Sequence, residues 1–159
     1  MRRAAYIAVG ANLGSPLRQV ESACVALAGL PETELVGVSS WYWSAPIGPE
    51  GQPEYLNGVV ALHSGLPSMV LLSHLHRIEQ EHGRQRRTRW AARTLDLDLL
   101  LVGGEVSDLP GLKLPHPEMR VRNFVMVPLA ELAPDLRLPD GGCVSEVAAA
   151  LGRAGLRRS

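Results

Sequence analysis

Leu95-Asp96-Leu97-Asp98-Leu99-Leu100-Leu101-Val102 sets two carboxylates two residues apart inside a run that is otherwise apolar. Side chains at i and i+2 of a strand share a face, with backbones roughly 6–7 Å apart. Leu95, Leu97, Leu99 and Leu101 are therefore expected to fill a core on one face, with Asp96 and Asp98 together on the other. Apolar residues flanking the pair predict a central strand, where solvent does not shield the charges, so the aspartates need a cation. Hard oxygen donors with no histidine or cysteine beside them favour Mg²⁺ over zinc. Just upstream, Arg84-Gln85-Arg86-Arg87-Thr88-Arg89-Trp90-Ala91-Ala92-Arg93 packs five guanidiniums into ten residues. A polyphosphate chelated to metal requires such a donor set, and Trp90 within this polar stretch suits a lid over a flat ligand.

The rest of the composition narrows the field. With 159 residues, 46% hydrophobic and 20% charged, the chain reads as a single domain over 1–159, long enough to bury a sizeable core. Sixteen basic and sixteen acidic residues cancel, so no global field draws it to nucleic acid or membrane. Lys113 is the only lysine, which excludes a phosphate-binding lysine after Gly10-Ala11-Asn12-Leu13-Gly14-Ser15. Cys24 and Cys143 form no paired-cysteine motif and read as buried free thiols of a reducing cytoplasm. The apolar run 4–9 is too short for a signal-peptide core or a bilayer span, so a cytoplasmic location is expected.

Along the chain, 4–9 reads as a first buried strand, and the turn after it delivers Ser15 as N-cap and Pro16 as first helical residue. Leu17, Val20, Cys24 and Leu27 form the inner stripe of that helix, which Gly29 and Pro31 stop. A strand is expected over 35–43, then a proline-rich loop over 44–53, then a strand over 55–62. Pro67 opens a second helix with Leu71, Leu75 and Ile78 inward and Gly83 at its end. Past Val102 the pattern predicts a turn at Gly103-Gly104, and over 119–132 a helix interrupted near Pro128 or two shorter elements. Beyond Val144 an alanine-rich helix weakened by Gly152 and Gly155 is expected to fray before Ser159.

Tyr55 and Asn57 share one strand face, so an aromatic plane and a hydrogen-bonding amide look the same way, as a pocket for a planar heterocycle requires. Trp41 and Trp43 read as core. A two-metal nuclease would also use the aspartates and the arginine run, and a simple polynucleotide-binding module would need only the arginines. Both leave Tyr55, Asn57 and Phe124 unexplained.

In order, Ala5-Tyr6-Ile7-Ala8-Val9-Gly10-Ala11-Asn12-Leu13-Gly14, Gln52-Pro53-Glu54-Tyr55-Leu56-Asn57, Ile78-Glu79, Gly83-Arg84, Arg93-Thr94-Leu95-Asp96-Leu97-Asp98 and Pro115-His116-Pro117-Glu118-Met119 resemble the 6-hydroxymethyl-7,8-dihydropterin pyrophosphokinases of folate biosynthesis. The resemblance runs through almost the whole chain. It implies an α+β, ferredoxin-like α/β sandwich with a mainly antiparallel central sheet flanked by helices, normally a monomer. It also implies transfer of pyrophosphate from ATP to the pterin, with release of AMP. Asp96 and Asp98 would hold two Mg²⁺ and, with Arg84 and Arg93, carry the catalysis. ATP would meet Glu79, Arg84, Trp90, Arg93, His116 and Arg122. The pterin would meet Ser44, Ala45, Ile47, Tyr55, Asn57, Trp90, Asp96 and Phe124.

Overall fold

Arg3–Ala11 forms the first strand, β1, and alternates between two cores: Ala5, Ile7, Val9 and Ala11 enter one, while Ala8 enters the other. In this computed structural model the structure describes residues 1–12, 14–45, 54–84 and 95–159, of Arg84 the backbone alone. The helix α1 spans Pro16–Ala28, with Ser15 as N-cap, Pro16 in the first turn and Gly29 at the C-cap. Its buried side chains are Val20, Ala23 and Leu27. Cys24 packs against the same core half-buried, while Leu17 faces outward at 52% exposure, one position off the stripe expected of it. Both cysteines are free and half-buried rather than buried, and burial, helped by the charge of Glu21, lifts the Cys24 thiol to about 11.

The single strand expected over 35–43 is two strands, β2 (Thr33–Val38) and β3 (Tyr42–Ser44). Both pair with β4 (Tyr55–Ser64), at different ends. Ser39 stitches the gap: its amide donates to the Val59 carbonyl at 2.9 Å, and its hydroxyl oxygen accepts the Val59 N–H at 2.9 Å. Trp41 and Trp43 pack against the first core, as expected. Gly58 admits Trp41, since a Cβ there would lie 2.4 Å from the ring.

Helix α2, Ser68–Glu79, buries Leu71, Leu75 and Ile78 and runs into a tight turn, Gln80–Arg84, that Gly83 ends with φ 125°. Strand β5, Asp96–Val102, follows the undescribed residues 85–94. The sheet order is β5-β1-β4, with β2 and β3 side by side beyond β4, and every pairing among the described strands is antiparallel. Two βαβ units thus interleave, each leaving room for a strand of the other. That is the ferredoxin-like arrangement of an α+β domain.

Strand β5 is not central, as the alternation predicted, but lies at the sheet edge with β1 as its only strand partner among the described ones. Its outer side is covered by other means. The buried Glu79 carboxylate accepts the Leu97 N–H at 2.8 Å, and His116 donates its backbone N–H to the Leu100 carbonyl at 2.9 Å. A register shift against β1 between Tyr6 and Ile7 inserts an extra residue at Leu100. Leu95, Leu97 and Leu99 keep to the α1–α2 core, but Leu101 crosses to the opposite core with Leu100, contrary to simple alternation.

A short hairpin, β6 (Ser107–Leu109) and β7 (Leu112–Leu114), precedes a single 3₁₀ turn at Met119–Val121 and helix α3, Asn123–Leu132. Helix α4, Val144–Leu151, packs with α3 on the sheet face opposite α1 and α2, giving three layers. The chain does not fray after Gly152: β8, Leu156–Arg158, pairs antiparallel with β3. Among the described residues no helix is long and apolar enough to cross a membrane.

Candidate active site

Helix α3 begins only at Asn123, so it covers one half of its sheet face and leaves the other half open beside its first turn. The cavity there is floored by Ala8, Gly10, Asn57 and Gly58 and walled by Ser44, Ala45, Tyr55, Asp96, Asp98, Arg122, Phe124 and Val125. Strand alternation puts Ala8 and Gly10 of β1 on this face, and their small size makes the depression. That was the signal available for finding them, an Ala and a Gly at i and i+2 on the strand face that carries the large Tyr6.

Asp96 and Asp98 point into the cavity from β5, on the face opposite Leu97 and Leu99, as their spacing requires. Asp98 is 44% exposed at its side chain, and the Nε2 of His116 stands 4.0 Å from its Oδ1. The His116 Nδ1 accepts the Glu118 N–H at 3.2 Å, so the neutral ring carries its proton on Nε2, facing Asp98. The two aspartates form an open, all-oxygen site, and no cluster of three or more metal-ligating side chains occurs among the described residues. Such a pair suits Mg²⁺, which binds through one or two carboxylates and fills its remaining positions with water and substrate phosphate.

Asn57 sits 7% exposed at the floor. Its Nδ2 donates to Ser44 Oγ at 2.7 Å and reaches the Tyr42 and Tyr55 carbonyls at 3.2 Å each. Both amide hydrogens are thereby used within the protein, and the orientation of Oδ1 is fixed. Oδ1 lies against Gly10, where a Cβ would come within 3.4 Å of it, and among the described residues it has no hydrogen-bond donor. An amide so held presents a single preset acceptor to a ligand. Ser44 acts on Asn57 through its hydroxyl.

Arg122, the residue before α3, pairs with Glu118 and lies over the Phe124 ring at 5.8 Å, which sets a guanidinium at the cavity wall. Glu79 is buried beneath the rim, on the Leu97 amide between the two aspartates, a role the sequence did not disclose. Ile47, Trp90 and Arg93, and the side chain of Arg84, lie outside the described residues, and with them the lid expected of the arginine run.

The architecture is an α/β sandwich whose open cavity carries two carboxylates, a fixed amide and an aromatic ring. The chain belongs to the 7,8-dihydro-6-hydroxymethylpterin-pyrophosphokinase (HPPK) family, whose model matches residues 6–134. It is 52% identical over 153 residues, 96% of this chain and 94% of the relative, to the 2-amino-4-hydroxy-6-hydroxymethyldihydropteridine pyrophosphokinase of Pseudomonas aeruginosa. To the enzyme of that name from Haemophilus influenzae it is 47% identical over 143 residues, 90% of this chain and 89% of the relative. Among solved structures it is similar to a crystal structure of HPPK-DHPS in complex with substrates, with a TM-score of 0.76 and 10% identity over 99% of this chain. Plasmodium falciparum HPPK-DHPS gives 0.72 over 94% of this chain, at 10% identity. The chain spans about half the length of those solved chains, 46% and 44%.

Proposed function

We propose that the cavity beside α3 is where this chain carries out its family's reaction, with the pterin seated on Asn57 between Tyr55 and Phe124. The chain is an ATP-dependent pyrophosphokinase that forms the pterin diphosphate of folate biosynthesis and releases AMP. The carrying observation is Asn57: an amide with its hydrogens spent on Ser44, Tyr42 and Tyr55 offers Oδ1 to a ring N–H of a heterocycle. Ser44 holds that amide in place, Ala45 adds to the wall, and Ile47 is assigned to the pocket by the family resemblance.

Asp96 and Asp98 would hold two Mg²⁺. When bound, the ions supply charge neutralisation to the phosphates and polarise the attacking hydroxyl. The residues of the chain position and neutralise. Arg84 and Arg93 are assigned to the reacting phosphates and Trp90 to both substrates. Arg122, fixed by Glu118 and Phe124, is assigned to the nucleotide side of the cavity. His116 stands beside Asp98, its Nε2 4.0 Å from Oδ1, and is assigned with Arg122 to the nucleotide side of the cavity. Glu79 is assigned first to the edge of β5 and through it to the nucleotide site. No residue presents itself as a general base, and in-line placement and electrostatics are assigned most of the acceleration. The unit acts as one domain over 1–159, as a cytoplasmic monomer without nucleic-acid or membrane partners.

AMP formation from ATP, followed with and without 6-hydroxymethyl-7,8-dihydropterin, tests the reaction and should require the pterin. Asn57→Ala tests the pocket: pterin binding should weaken by about 1–3 kcal/mol, with ATP binding nearly unchanged, because a buried polar edge loses its partner. Equal losses for the two ligands would place the pterin elsewhere.

A further inference from the structure

The segment 152–159 lies beyond the family match, which ends at residue 134, and contributes no residue to the cavity lining. It holds Asn123 and Glu54, the neighbours of Phe124 and Tyr55, and the strand β3 that carries Ser44. Gly152 leaves α4 at φ 75°, a turn only glycine makes without strain, and brings two carbonyls to Asn123. The Asn123 Nδ2 donates to the carbonyls of Ala154, at 2.9 Å, and Gly152, at 3.2 Å. Asn123 is the first residue of α3 and directly precedes Phe124. After Gly155, at φ 81°, β8 pairs with β3 so that Leu156 lies opposite Ser44, whose hydroxyl orients Asn57. Arg158 bonds Ser40 Oγ at 2.7 Å and the Ser159 N–H bonds the Trp41 carbonyl at 2.9 Å, which closes the far end of β3. Arg157 pairs with Glu54 at 3.1 Å, beside Tyr55.

A three-residue strand at a sheet edge is marginal alone, and a helix start positions an aromatic only as well as its own first turn is held. Both elements here are tied to one strap. We infer that the segment 152–159 preorganises the pterin pocket, and that Asn123 is a positioning residue acting through Phe124 on pterin affinity more than on ATP, whose Arg122 keeps its Glu118 partner. This rests on the pocket assignment above.

The test uses the full chain carrying Asn123→Ala or Asn123→Asp, the latter keeping the shape but losing the donor, and Leu156→Pro, which removes the Leu156 N–H that donates to the Arg153 carbonyl in the turn leading into β8. Dissociation constants for 6-hydroxymethyl-7,8-dihydropterin and for Mg²⁺-ATP are measured separately, well below each variant's melting temperature. The pterin constant should rise about fivefold in each variant, the loss of one net hydrogen bond, while the ATP constant stays within about twofold. Unchanged pterin affinity in Asn123→Ala and Asn123→Asp, or parallel losses for both ligands, would overturn the inference. Asn57→Ala run alongside separates the two readings. If it weakens pterin binding and Asn123→Ala does not, the strap alone fails; if Asn57→Ala is also silent, the pocket fails with it.

Discussion

Asp96 and Asp98 bring two negative charges to one face of a strand whose other face is leucine, so each is a cost to the fold unless a cation meets it. Removing one carboxylate relieves repulsion while it removes a ligand. Asp96→Ala and Asp98→Ala should each abolish AMP formation, and Asp98→Ala should leave the melting temperature equal to or above that of the parent chain. Retained turnover in either would refute the metal assignment, and a collapsed melting temperature would make that aspartate structural. Residue spacing made this pair legible, along with Tyr55 and Asn57 on one face of β4. It could not show that Ser44 turns the Asn57 amide or that Glu79 reaches the Leu97 N–H, because those contacts join positions far apart in the chain.

Two elements departed from their sequence patterns, for related reasons. Leucines flanking both aspartates made β5 look central, yet it is an edge whose burial comes from α2, the β6–β7 hairpin and the turn before α3. Alternation reports burial of faces and carries no record of which neighbour covers an edge. The tail beyond Val144 looked too weak to hold because intrinsic propensity counts local terms only, whereas β8 is stabilised by pairing with β3. Strand β4 supplies the sharpest element-scale test. Gly58 lies under Trp41, and a methyl group at 2.4 Å from the ring cannot be accommodated without moving the 39–41 connection between β2 and β3. Gly58→Ala should destabilise the protein by about 1–3 kcal/mol, the usual cost of overpacking, and shift the Trp41 emission. Denaturant unfolding checks this: an unchanged midpoint would mean that the connection yields freely and that β3 does not depend on it for its place.

At the scale of the whole molecule, the three layers are fastened at two points by carboxylates on opposite sides of the sheet. Glu105 accepts from the Ser68 hydroxyl and from Arg3, joining the start of β1, the first turn of α2 and the turn after β5. The Ser68 and Arg3 hydrogen bonds hold its carboxyl below the usual glutamate range. Glu131, at the end of α3, accepts from the Tyr42 hydroxyl and the Ser40 amide. Burial pushes its carboxyl up, but those hydrogen bonds and the nearby Arg158 outweigh it and leave the net shift downward. Both folded-state values therefore lie below the unfolded glutamate value of about 4.3. As pH falls the unfolded chain takes up protons first, so the stability these groups contribute is complete above about pH 4.3 and is lost as pH drops through the folded values. Thermal unfolding between pH 7 and pH 3 should show a flat melting temperature that then falls on the acid side. Glu105→Gln with Glu131→Gln should melt lower at neutral pH and fall less steeply in acid, so that the two curves converge at low pH. Parallel curves would assign the acid limb to other carboxylates and leave the two fastenings without a measurable part in holding the layers together.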